Sequence, residues 1–214
     1  MKKLILFPLI LILAIIGIIM TFNEPIQNSA IKHLTNSALK QPLVSSNDNN
    51  PHKSTKREHY NYNSVKSVSP KMVSHAFFTH GNVIGIISLP SVKLKLPIYR
   101  GLDNDNLVKG AGTMKPHEQM GKGNYALAGH HMEDPHILFS PLQHAKVGNV
   151  IYLTNRSKKV YVYRITKKKV ISKYQTGYIK DIGNRRVITL ITCASGKPEE
   201  PNRIMIRGVL SSSN

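Results

Sequence analysis

The chain of 214 residues contains one cysteine, Cys193, at the end of the apolar, β-branched run Arg186-Val187-Ile188-Thr189-Leu190-Ile191-Thr192. A thiol at the C-terminal end of a buried strand stands on a rigid support and reaches a loop-lined cleft, which is where a nucleophile works. Strand context alone is equally compatible with a cysteine that packs as a small hydrophobe. Its neighbours decide between these readings. A thiol nucleophile requires a proton carrier and a donor for the developing oxyanion. The run Asn124-Tyr125-Ala126-Leu127-Ala128-Gly129-His130-His131 delivers imidazole directly after an apolar strand, and Arg203 opens the last apolar strand, Arg203-Ile204-Met205-Ile206-Arg207. If the two final strands pair, the Gly/Pro loop between them returns Arg203 to the cysteine's end of the sheet. Cys193, a histidine and Arg203 then share one cleft, and the chemistry of such a trio is acyl transfer through a thioester.

Several histidines compete for the proton-carrying role. Adjacent side chains of a strand point to opposite faces, so only one of His130 and His131 faces Cys193 if the strand persists. His117, His136 and His144 read as satisfied or exposed side chains. The stretch His130-His131-Met132-Glu133-Asp134-Pro135-His136 matches no standard zinc spacing, and Pro135 interrupts any helix that would align the ligands, so no metal is expected.

The elements that position these residues are strands. Short apolar or alternating runs separated by turn residues recur at 83–89, 92–96, 124–128, 150–154, 160–165, 170–172, 186–192 and 203–210. Eight such segments with little helical periodicity predict an all-β barrel or sandwich. The alternation of Val160, Val162 and Arg164 with Tyr161, Tyr163 and Ile165 fits a half-exposed strand.

The rest of the chain places this unit outside a membrane. Lys2 and Lys3 precede a charge-free Leu/Ile run from Leu4 to Met20, long enough to span a bilayer and without an Ala-x-Ala cleavage site. It predicts an uncleaved signal anchor over residues 1–22, single-pass, with its basic end inside. Residues 23–75 are rich in Asn, Ser, Lys and His and predict a stalk, with Ile26, Ala30, Ile31, Leu34 and Ala38 at helical spacing before Pro42. The folded domain is expected over 76–214. A formal net charge of +19 raises nucleic acid as a partner, but the basic residues are scattered and no recognition helix or aromatic RNA-binding signature is present. An exported cationic domain is matched instead to an anionic envelope.

Three segments together resemble the sortase family. Thr189-Leu190-Ile191-Thr192-Cys193 is similar to its TLxTC signature, Leu127-Ala128-Gly129-His130 to its histidine segment, and Asn202-Arg203-Ile204 to its arginine segment. The similarity extends from about Asn82 to Leu210, through Leu96-Pro97-Ile98-Tyr99-Arg100-Gly101, Gly110-Ala111-Gly112-Thr113 and Met120-Gly121-Lys122-Gly123-Asn124. The resemblance implies a closed eight-stranded β-barrel and a cysteine transpeptidase that cleaves LPxTG-type signals of surface proteins between Thr and Gly. It implies transfer of the threonine to an amine of the peptidoglycan precursor, lipid II, on the outer face of a Gram-positive membrane. It selects His130 over His131, with Cys193 as nucleophile and Arg203 as oxyanion donor. Thr192, Ala128 and Ile191, flanking the nucleophile and the histidine, are the candidate substrate-binding residues. Some sortases bind calcium through acidic residues before the histidine strand; here that loop reads Lys115-Pro116-His117-Glu118-Gln119, and neither calcium nor any cofactor is expected. With neither a C-terminal apolar segment nor an Asp-Pro-aromatic lid motif, the sequence resembles class A, housekeeping members. An exported cysteine peptidase using the same dyad, and a non-catalytic wall-binding module, are the alternatives.

Overall fold

The computed structural model describes residues 23–41, 43, 59–79 and 81–213. Eight strands close into a barrel: β1 (Val83–Leu89), β2 (Leu94–Tyr99), β3 (Ala111–Thr113), β4 (Asn124–Ala128), β5 (Val150–Asn155), β6 (Val160–Ser172), β7 (Val187–Cys193) and β8 (Asn202–Ser213). Around the wall they run β1-β2-β3-β4-β7-β8-β6-β5. The β2/β3 and β4/β7 pairs are parallel and the remaining pairs antiparallel.

Side-chain alternation builds the core. In β1, Val83, Gly85, Ile87 and Leu89 are buried while the residues between them are half-exposed. In β7, Ile188 and Leu190 point inward and pack with Tyr163, Ile165, Ile204 and Ile206. Ile191 points outward and joins Leu102, Leu107, Met114, Ala126 and Ile179 in a second cluster on the outer face. Strand β7 is thus covered on both sides, which is why its sequence is a near-continuous apolar run rather than an alternating one.

The predicted barrel is present, with two exchanges among its strands. The segments expected separately at 160–165 and 170–172 are one strand, β6, which carries Lys167, Lys168 and Lys169 through its middle. Its partner β8 pairs with it along this length, and the register slips between Ile165 and Lys167, so the lysines sit on the wall without breaking it. Strand β3 was hidden in Gly110-Ala111-Gly112-Thr113, where only Thr113 favours a strand and the glycines and alanine are depleted in strands. It is held because Gly112 lets the backbone of Gly101 approach: a Cβ there would lie 2.2 Å from that carbonyl oxygen.

Where it is described, the segment expected as a stalk lies against the barrel. Residues 23–39 form a helix, α1, whose Ile31, Leu34 and Ala38 are buried. The Thr35 hydroxyl donates to the Lys109 carbonyl at 2.9 Å, and Lys32 pairs with Asp134 at 2.9 Å. A second helix, α2 (Pro70–Phe78), is started by the Ser69 hydroxyl, which accepts from the Met72 N–H, and by Pro70 in its first turn. Its Val73 and Ala76 enter the same core cluster as Ile31 and Leu34, so the domain boundary expected at residue 76 falls inside α2. Apolar spacing predicts the helix, but which surface it finds is a tertiary matter. The signal anchor expected over 1–22 lies outside the described residues. No helix among the described residues is long and apolar enough to cross a membrane.

Candidate active site

Topology gathers three strand ends at one rim. Parallel pairing of β4 with β7, in the register Ala128↔Ile191, carries both C-terminal ends to the same edge. Antiparallel pairing of β7 with β8 brings the N-terminal end of β8 to that edge and sets Arg203 directly opposite Cys193. His130 follows β4 by two residues. All three open on a cleft of about 620 Å³ on the outer face of the β4–β7 wall.

Cys193 is partly buried, and burial pushes its thiol above the usual range; the Arg203 charge opposes this and the Glu200 carboxylate adds to it. His130 is 8% exposed, and its Nε2 has no hydrogen-bond partner among the described residues. Burial drives its pKa down to about 4, because a desolvated imidazolium is costly. The resting pair at neutral pH is therefore a neutral thiol and a neutral imidazole.

Arg203 is held by its own loop. Its Nη1 donates to the carbonyls of Glu200 and Asn202, and its other N–H groups have no protein partner among the described residues. The Glu200 carboxylate accepts from the Ser195 hydroxyl at 2.6 Å and from the Asn202 N–H at 2.9 Å, and these bonds hold it below the usual carboxylate range. Loop 194–201 is thereby tied into a ring. It also leans on the histidine loop at Gly196, where a Cβ would lie 2.4 Å from the Glu133 nitrogen.

Of the candidate substrate-binding residues, Ala128 and Ile191 form the half-buried floor of the cleft. Thr192 lines the same cleft, but it is 2% exposed and its hydroxyl donates to the Gly129 carbonyl at 2.8 Å. Its polar group is spent joining β7 to the end of β4.

Three features of the cleft were not read from the sequence. The segment before α2 lies over the floor, with Tyr62 and Val65 packed in the outer cluster beside Ala128 and Ile191. The Tyr62 hydroxyl donates to the Met114 carbonyl at 2.9 Å, and the Lys66 N–H donates to the Asn104 side chain at 3.0 Å, fixing it there. Residues 171–179 build the opposite wall. His131, expected to face away from Cys193, instead lines the cleft with His130 and bonds the Cys193 carbonyl at 2.7 Å. Strand β4 ends at Ala128, so the alternation that would have separated the two histidines stops before reaching them. The signal for this was Gly129, a break between strand and histidines.

A partly buried thiol, a buried neutral imidazole and a guanidinium at one rim of a closed barrel define an enzyme that transfers acyl groups through a cysteine. A family model described as a sortase domain matches residues 87–211. The chain is 39% identical over 209 residues to sortase A of Streptococcus agalactiae, covering 94% of this chain and 83% of that protein. It superposes on the crystal structure of Listeria monocytogenes sortase A with a TM-score of 0.59 at 39% identity, over 62% of this chain and 89% of that one. A structure of Clostridium perfringens sortase C with the C-terminal cell wall sorting motif gives a TM-score of 0.56 at 29% identity, over 63% and 73% of the two chains. The chain belongs to the sortase family, and within it to class A.

Proposed function

We propose that the protein is a membrane-anchored transpeptidase that cleaves LPxTG-type sorting signals between Thr and Gly and joins the threonine to an amine of lipid II. Cys193 attacks the threonine carbonyl while its thiol proton passes to His130. Arg203 donates hydrogen bonds to the oxyanion, a task its fixed guanidinium geometry suits better than lysine's ammonium. The C–N bond then breaks, His130 returns the proton to the leaving glycine amine, and a thioester remains on Cys193. An incoming neutral amine attacks the thioester, His130 takes its proton, the C–S bond breaks as the new peptide bond forms, and His130 passes the proton to the departing sulfur, restoring the neutral thiol and imidazole.

The observation that carries this reading is the register pair Cys193↔Arg203 beside His130, at the end of the strand parallel to β7. The apolar floor of Ala128 and Ile191 suits the Leu-Pro part of the signal, and the net charge of +19 suits an anionic envelope. Membrane attachment through residues 1–22, with the N-terminus inside and the barrel outside, rests on the apolar run and its two lysines. The test uses the full chain in detergent, a fluorogenic Leu-Pro-Glu-Thr-Gly peptide and triglycine. Amine-dependent ligation that disappears in Cys193→Ala supports the proposal. Cleavage without ligation favours the exported peptidase, and turnover that survives the substitution refutes both.

A further inference from the structure

We propose that His131 is a positioning residue that fixes the backbone of the nucleophile, a role that rests on Cys193 being that nucleophile. The parallel ladder between β4 and β7 ends with the Gly129 N–H donating to the Ile191 carbonyl at 3.2 Å. The next carbonyl on that side of β7 belongs to Cys193. No backbone N–H of β4 meets it, because the chain turns away at Gly129 into the hairpin that bridges His131 to Leu138. The His131 ring takes the place of the missing rung, with Nδ1 2.7 Å from the Cys193 oxygen. A carbonyl only accepts, so Nδ1 carries the hydrogen and the tautomer is assigned by its partner.

On the other side of the same peptide unit, the Ala194 N–H donates to the Asn202 carbonyl at 3.0 Å. The plane after Cys193 is clamped from both flanking strands, by a side chain on one side and by backbone on the other. That plane sets ψ of Cys193 and with it the direction of Cα–Cβ–Sγ. The clamp is itself rigid. His131 is 9% exposed, the Phe139 N–H donates to the His130 carbonyl at 2.9 Å, and the Ser140 hydroxyl accepts from the Met132 N–H at 2.8 Å. His131 touches no reacting atom in this arrangement, and its work is to hold the thiol where the threonine carbonyl arrives.

The test compares His131→Ala with His131→Asn in the full chain, using the same fluorogenic peptide and triglycine and following melting temperature. The amide nitrogen of Asn lies as many bonds from Cα as Nδ1 does, so Asn keeps the donor and discards the ring. His131→Ala is expected to lower kcat by about 10- to 100-fold with KM within about threefold, the signature of a misplaced attacking group. His131→Asn is expected to recover kcat to about a third of wild type or better, because the donor is restored. If His131→Ala does not fold, His131→Gln, whose amide nitrogen lies one bond too far, takes its place in the comparison. Wild-type kcat in His131→Ala, a change in KM alone, or equal loss in the Ala and Asn variants overturns the proposal. Turnover that persists in Cys193→Ala, run in parallel, would instead remove the nucleophile reading on which it stands.

Discussion

The pKa order at the rim makes a prediction that distinguishes this site from a resting thiolate–imidazolium pair. The perturbation is pH. Burial holds His130 at about 4 instead of 6.5, a gap that corresponds to about 3 kcal/mol against the imidazolium. At pH 7 about one His130 in a thousand is charged, and the thiol, pushed above its usual value, is also protonated. The form able to react has one proton shared between the two groups. It is lost when both are protonated below about pH 4 and when both are deprotonated above the thiol's raised pKa. The profile of kcat/KM, which reports the free enzyme, is therefore expected to be a broad plateau whose acid limb lies near pH 4 and whose basic limb lies above the ordinary thiol range. Two direct readouts accompany it: NMR titration of the His130 ring, and the rate of alkylation of Cys193 by neutral iodoacetamide. An imidazole that titrates at 6 or higher, or a thiol that becomes reactive well below 8, would refute the reasoning, because either requires an ion pair that the buried His130 environment disfavours.

Three further outcomes are expected. Glu118 accepts N–H bonds from Ala126 and Met114 in a buried position that raises its pKa to about 7, so the fold retains a proton that the unfolded chain releases. Its contribution is present at low pH and lost as pH rises through about 7. His130 acts in the opposite direction over an overlapping range, so the effect is isolated in the difference between Glu118→Gln and wild type. By urea unfolding, the variant should gain about 2–3 kcal/mol relative to wild type between pH 4.5 and 8, and an unchanged difference would count against the raised value. Thr192→Val keeps the shape of the side chain but strands the Gly129 carbonyl, and should cost about 1–2 kcal/mol in the same assay. Replacing Tyr62 and Val65 together by Ala opens the floor over Ala128 and Ile191; if that segment must leave before substrate binds, the peptide KM falls by about 2- to 10-fold. A rise in KM would show the two residues to be part of the binding wall.

The parts of the fold and site visible in sequence are those that short-range pattern encodes. Strand β7 announced itself by an apolar run ending in Cys193, and β4 and β8 by the same texture beside His130 and Arg203. A hairpin argument returned Arg203 to the cysteine's end of the sheet, and the register goes further by setting the two residues directly opposite each other. What pattern does not encode is where an element lands. The helical spacing of Ile31, Leu34 and Ala38 was readable, but its destination on the barrel was not. The Lys167–Lys169 run looked like an interruption because its pairing with β8 is non-local. Thr192 adjoins the nucleophile and lines the cleft, but that its hydroxyl is turned to the Gly129 carbonyl depends on the β4–β7 pairing, which adjacency in sequence does not show. Strand β3 and the role of His131 depend on backbone approaches that only the closed barrel creates.

The docking of α1 has a mechanical consequence. A flexible stalk would absorb any pull or tilt applied at the N-terminus. Here a stiff rod of roughly 25 Å, the length of 17 helical residues, spans residues 23–39 and is pinned to the barrel by buried apolar side chains. One of its charged contacts, Lys32 with Asp134, falls on the loop that carries His130 and His131. On the anchoring proposed above, a pull or tilt that reaches residue 23 is passed by this rod to the histidine loop. Catalysis would then be tuned to how the protein is seated in its membrane as well as to what enters its cleft.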